Sequence, residues 1–223
     1  MHDAAMLWTG GKDSAMALHE AVRDGFRIRG FATFAPPQPD FKAHPLAVVR
    51  LQAEALGLPH RVLTVDAPFE RGYEDALQRL RDEWGVRCVV TGDIAAVDGR
   101  PNWMRERCRP LGMDVHAPLW ARDRHALLRE LLDRGFRAIL SCVDTRRLDE
   151  SLLGREIDEA LIAELLAAQT RSGVDPCGEQ GEYHTLVVDG PSFARGIALG
   201  RPVRRKAGAL AWLEIPAPAC ADA

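Results

Sequence analysis

The apolar positions of this chain change their period along its length. Short strand-like runs rich in apolar residues at 4–8, 28–34, 60–65, 86–91, 115–117 and 136–142 alternate with helix-like periodic segments at 14–24, 45–56, 68–84, 102–111 and 124–134. The first pattern suits strands buried on both faces and the second suits amphipathic helices. In the first helix Ala15, Leu18 and Val22 mark the buried stripe, and Gly25 ends it, as Gly57 and Gly135 end later helices. Glycine is favoured there because the residue past a helix end often takes the left-handed conformation. Strands and helices in alternation imply crossover connections and a parallel sheet. The expected fold is α/β: a doubly wound, Rossmann-like parallel sheet of five or six strands over residues 1–145.

The last third reads differently. A helix over 155–170 is followed by Ser172-Gly173-Val174-Asp175-Pro176, a glycine-rich acidic segment, and apolar runs at 186–188, 197–199 and 210–215. This predicts a smaller α+β region over 146–215, with the boundary between 143 and 153. Residues 216–223 are expected to form a disordered tail.

Composition narrows the class. The chain has 223 residues, 47% apolar and 27% charged, with a formal net charge of −3. That is enough for one large or two small domains with a real core. The longest apolar runs are strand-sized, short of the roughly 18 residues a membrane span needs. The first residues also lack a basic region followed by a long apolar one, so no membrane association and a cytoplasmic location are expected. The five cysteines are dispersed and form no C-x-x-C pair, which predicts reduced, buried thiols rather than a disulfide frame or a zinc site. Arg105, Arg107 and Arg109, and Arg201, Arg204, Arg205 and Lys206, form local basic groups. They read as solvated faces, and no nucleic-acid partner is expected.

Two segments carry chemistry. Thr9-Gly10-Gly11-Lys12-Asp13-Ser14 stands between the first strand and the first helix. Adjacent glycines let the backbone approach an anion, the first helical amides point outward, and the helix dipole adds partial positive charge. Lys12 supplies a full charge, Ser14 a hydroxyl, and Asp13 a carboxylate able to hold magnesium. The spacing is not that of the Walker loop, because Met6 and Asp13 occupy the positions that loop needs as Gly and Ser or Thr. A simple glycine turn with a helix cap would explain Asp13 or Ser14 but not the lysine. The second segment gathers Glu179, Glu182, Tyr183, His184, Thr185 and Asp189, with Gly178 and Gly181 bending the backbone. Two carboxylates beside an imidazole can bind ammonium, take a proton or hold a cationic group, or they can be a solvated turn. His44, His60, His116 and His125 show no ligand spacing and read as structural or surface residues.

The loop at 9–14 resembles the pyrophosphatase (PP) loop of the adenine nucleotide alpha-hydrolase-like ATPases. Further stretches narrow the resemblance: Thr91-Gly92-Asp93-Ile94, Val115-His116-Ala117-Pro118-Leu119-Trp120, and Asp175-Pro176-Cys177-Gly178-Glu179-Gln180-Gly181-Glu182-Tyr183-His184-Thr185, running on to Val188-Asp189-Gly190-Pro191. Together they resemble the diphthine ammonia ligase family, in its bacterial-type branch, over nearly the whole chain. The resemblance implies an ATP-dependent amide ligase that adenylates a carboxylate, releases pyrophosphate, and forms an amide with ammonia as AMP leaves.

It implies ATP and Mg2+ as cofactors. Thr9, Gly10, Gly11, Lys12, Asp13, Ser14, Gly92 and Asp93 would hold the nucleotide, with Asp13 at the metal. Lys12, Asp13, Glu179 and Glu182 would serve catalysis, and Glu179, Gly181, Glu182, Tyr183, His184, Thr185 and Asp189 would meet the substrate. His184 stands where archaeal and eukaryotic members carry an acid, which changes the site by one charge and implies a different carboxylate, a corrinoid-related one being an alternative to diphthine. A homodimer is compatible with this. Two other readings stay open: a nucleotide-binding sensor without turnover, and an enzyme that adenylates a tRNA base for thiolation.

Overall fold

A computed structural model describes residues 2–96 and 102–216. The chain divides into two compact units. The first takes the residues up to Thr9, Asp13–Asp40 and Gly57–Arg122; the second takes Gly10–Lys12, Phe41–Leu56 and the chain from Asp123 onward.

The first unit is built on strands β1 (His2–Leu7), β2 (Phe26–Ala35), β3 (His60–Thr64), β4 (Cys88–Val90) and β5 (Asp114–His116), all parallel, in the order β3-β2-β1-β4-β5. Helices α1 (Lys12–Arg23), α3 (Phe69–Trp84) and α4 (Trp103–Cys108) make or begin the crossovers; α2 (Leu46–Ala55) belongs to the second unit. One core joins Ala5, Ala32, Leu63 and Val89 of the strands to Ala76, Leu77 and Leu80 of α3 and to Cys108 and Met113. The run at 86–91 contains β4, every residue of which is buried, as a central strand covered on both faces requires. The glycines at 25, 57 and 135 take positive φ, as the helix ends require. Strand order reverses beside β1, whose neighbours are β2 and β4. The loops leaving β1 and β4 therefore emerge at the carboxyl-edge switch point where ligands of such sheets bind.

The second unit holds an antiparallel sheet of β6 (Arg137–Asp144), β7 (Tyr183–Asp189), β8 (Val203–Ala207) and β9 (Leu210–Glu214), ordered β7-β6-β9-β8. With it go α2, α5 (Arg124–Asp133) and α6 (Glu159–Ser172). Asp123 and Asp158 cap α5 and α6, each accepting from a backbone N–H three residues on. The run at 136–142, expected as a further parallel strand, pairs instead with β7 and β9. Its residues are buried nearly throughout, and periodicity fixes such a strand without fixing its partner. No strand forms at 197–199; the nearby strand is β8, exposed along its whole length and so without an apolar signature.

Four cysteines, Cys88, Cys108, Cys142 and Cys177, are free and buried. Burial pushes the thiols of Cys88 and Cys142 up to about 11 and that of Cys108 up to about 12. Cys220 and the tail at 217–223 lie outside the described residues. Among the described residues, no helix is long and apolar enough to cross a membrane.

Candidate active site

In the first unit the flanks of the glycine loop meet the end of β4. Thr9 Oγ1 donates to Ser14 Oγ at 3.2 Å, closing the loop across its mouth. Asp13 and Ser14 lie in the first turn of α1, Asp13 partly exposed and Ser14 buried. Gly92 is pressed against this turn: a Cβ there would sit 2.7 Å from the Asp13 carbonyl carbon and the Ser14 nitrogen. Only glycine lets the two backbones approach so closely. Asp93 is exposed and accepts from Asn102 Nδ2 at 2.9 Å, while Asn102 Oδ1 caps α4 by accepting from the Arg105 N–H. Beside them the buried Thr91 hydroxyl has no hydrogen-bond partner among the described residues.

In the second unit the middle of the loop is fixed by β7. The Gly10 carbonyl accepts from Val187 N–H at 3.0 Å and from Gln52 Nε2 at 2.9 Å. The same Gln52 amide donates to the Val187 carbonyl at 2.8 Å. Gly10 has φ +84°, and a Cβ there would strike the Gln52 amide. Lys12 N–H donates to Thr185 Oγ1 at 3.0 Å. The Lys12 side chain is only 3% exposed. Its ammonium donates to the Cys177 carbonyl at 2.6 Å and lies 5.6 Å from the centre of the Tyr183 ring. A lysine is costly to bury alone, and here a carbonyl and an aromatic face support it.

The acidic segment is shaped around Glu182, which is fully buried. Its Oε1 accepts from Asp175 N–H at 2.9 Å and Arg147 Nη1 at 3.0 Å, and its Oε2 accepts from Gln180 N–H at 2.9 Å. Asp175 in turn accepts from Arg124 Nε and from Cys177 N–H. Tyr183, also buried, donates its hydroxyl to the Pro176 carbonyl at 2.6 Å. Gly178 and Gly181 take positive φ. Glu179 is partly exposed and His184 exposed.

Of the residues singled out from sequence in this unit, Gly10, Gly11, Lys12, Tyr183, His184 and Thr185 thus lie together. Glu182 faces inward, and Asp189 lies at the far end of β7, about 13 Å along the strand from Thr185.

Two residues not singled out as functional join them. Gln52 is fully buried on α2 among Val48, Val49 and Ala53; a polar residue inside an apolar helical stripe was its only signal. His44, read as structural or surface, has its Nε2 3.3 Å from where a Gly11 Cβ would stand and its ring edge-on to His184 with centroids 5.4 Å apart. Burial above all, then the nearby His184 and Lys12, lower the His44 imidazole to about 3, against a hydrogen bond to the Thr185 backbone that raises it.

Glu182→Gln replaces one acceptor oxygen with a donor that must face an N–H. Urea denaturation should show a loss of about 2–3 kcal/mol; full stability would mean that Glu182 does not hold this segment. His44 gives a pH dependence. The unfolded imidazole binds a proton below about 6.5 whereas the native one resists it down to about 3. Its contribution to stability is therefore complete above about 6.5 and is lost as the pH falls toward 3, by up to about 1.4 kcal/mol per pH unit. The urea midpoint should fall between pH 7.5 and 5.5, less steeply in His44→Gln; parallel profiles would exclude His44 as the source.

Family models match both parts of the chain: "Diphthamide synthase N-terminal domain" over residues 1–115 and "Diphthamide synthase C-terminal domain" over 123–212. The diphthine–ammonia ligase of Mus musculus is 28% identical over 87% of this chain and 82% of its own length. That of Danio rerio is 30% identical over 86% and 84%. A solved structure described as a predicted subunit of tRNA methyltransferase from Methanocaldococcus jannaschii is 19% identical, covering 84% of this chain and 97% of that one with a TM-score of 0.44. With both domain models matched in order over most of its length, the chain belongs to the diphthamide synthase family.

Proposed function

We propose that this protein is an ATP-dependent ammonia ligase that activates a carboxylate as its adenylate. The observation that carries the reading is the attachment of Gly10 and Lys12 to β7. The glycine loop is hydrogen-bonded to Cys177, Thr185 and Val187, at the two ends of the stretch that carries Glu179–Thr185. The similar proteins of Mus musculus and Danio rerio are diphthine–ammonia ligases, which agrees with it.

A carboxylate resists direct attack by ammonia because its oxygen is a poor leaving group. In the proposed sequence its oxygen attacks the α-phosphorus of ATP, and the bond to the β,γ-pyrophosphate breaks. Ammonia then adds to the acyl carbon, the C–O bond to AMP breaks, and one proton is released. The Lys12 amide is held by Thr185 Oγ1, so the glycine amides of the loop and the Lys12 ammonium would stabilise charge developing on the departing pyrophosphate. Asp13 suits magnesium, since that ion takes one or two carboxylates together with phosphate oxygens and water. The ion would add Lewis-acid neutralisation of the phosphates.

Glu179 and His184, at the surface of the second segment, would face the acceptor and the incoming ammonia. Glu182 would act through the backbone it holds. The acceptor class is a carboxylate, and the histidine at 184 favours one less cationic than a partner for an acid would be.

Phosphorus NMR and mass spectrometry on the protein with magnesium ATP, 15N-ammonium and a desalted metabolite extract should show AMP, pyrophosphate and a labelled amide. ADP with phosphate would refute the adenylation. ATP bound but unchanged would favour a sensor. Lys12→Ala should lower pyrophosphate release by a factor of about 100 or more while the far-UV circular dichroism is kept; unimpaired release would remove Lys12 from the reaction.

A further inference from the structure

The mechanism makes no use of the histidine that lies beside the glycine loop in the second unit. His44 precedes α2 and reaches the loop beside Gly11. The charged and titratable groups around it are His184 on β7 and Lys12 at the start of α1, and the carbonyl of Thr185 takes its hydrogen bond. Lys42, two residues away, turns its ammonium to the Trp212 ring at 5.3 Å instead.

We propose that His44 is a proton-coupled part of the loop's anion site, neutral in the free protein and protonated when a polyphosphate settles on Gly10–Lys12. This rests on the reading of that loop as a phosphate site. In the free protein every nearby influence except one backbone carbonyl disfavours a second positive charge beside Lys12. A polyphosphate brings at least two negative charges to the same place and reverses the balance, because an opposite charge within a few ångströms favours the protonated imidazole. The Thr185 carbonyl already receives the ring's hydrogen bond, so protonation needs no rearrangement of that contact. The proton comes from solvent on binding and returns when pyrophosphate leaves. The ligand class is an inorganic or nucleoside polyphosphate, and His44 is a positioning residue that adjusts the charge of the site to its occupant.

The test is long-range proton–nitrogen NMR of the histidine rings in the full-length 15N-labelled protein, from pH 5 to 8, with and without magnesium tripolyphosphate. His44→Gln assigns the resonance, and the exposed His184→Gln assigns it through the neighbour's shift if the first variant does not fold. Without ligand the His44 ring should stay neutral across the range. With ligand its midpoint should rise from about 3 to above about 5, while the backbone amides of Gly10, Gly11 and Lys12 shift. Amide shifts with a ring that stays neutral would overturn the proposal and leave the loop assignment standing. Unchanged amides at saturating ligand would overturn both. A proton taken up equally by His44→Gln would assign it to another group and overturn the proposal.

Discussion

The carbonyl of Gly10 is the point on which the site depends. A loop that offers its N–H groups to an anion must turn its carbonyls away, and a buried carbonyl needs partners there. Val187 N–H and the Gln52 amide supply them, from a strand and a helix far away in sequence. Thr185 does the same for the Lys12 N–H. The shape of the loop is thus set by β7 as much as by its own glycines. The conformation of the loop should therefore depend on residues 185 and 187 as well as on its own glycines.

Buried charge imposes a second constraint on the same elements. Glu182 has no solvent to stabilise it, so it must collect donors, and the donors it collects are the backbone of 175 and 180 and the guanidinium of Arg147. Those bonds bend the segment and present the Cys177 carbonyl to the Lys12 ammonium. The burial of one charge therefore positions the support for the other. An ion pair of this kind is weak evidence of net stability, but it can specify one conformation of a glycine-rich segment that has little intrinsic preference.

Much of this was legible in sequence, and the reasons for the rest are physical. The parallel sheet could be read because βαβ crossovers force apolar runs and helical periods to alternate. The position of the loop could be read because two glycines between an apolar run and a helical period mark a strand–helix junction. The pairing of β6 could not be read, because an apolar run is the same whichever strand lies beside it. Nor could β8, whose exposed residues carry no alternation. Gln52 and His44 escaped for a related reason: each acts through a long-range contact, and neither stands at a spacing that would announce one.

The same long-range view divides the acids of the second segment. A carboxylate that transfers a proton or orients an amine must reach it, within about 2.6–3.2 Å or through one water. Glu182 has three donors on its two oxygens and no exposed surface. To reach a substrate it would have to give up hydrogen bonds that determine where the segment lies. Asp189 lies at the other end of β7. In the proposed reaction, contact with ammonia would therefore fall to groups left nearer the surface, Glu179 and His184. The segment then mixes two kinds of position: Glu182, Tyr183 and Thr185 are buried and hold the backbone and the loop from inside, while Glu179 and His184 keep surface of their own.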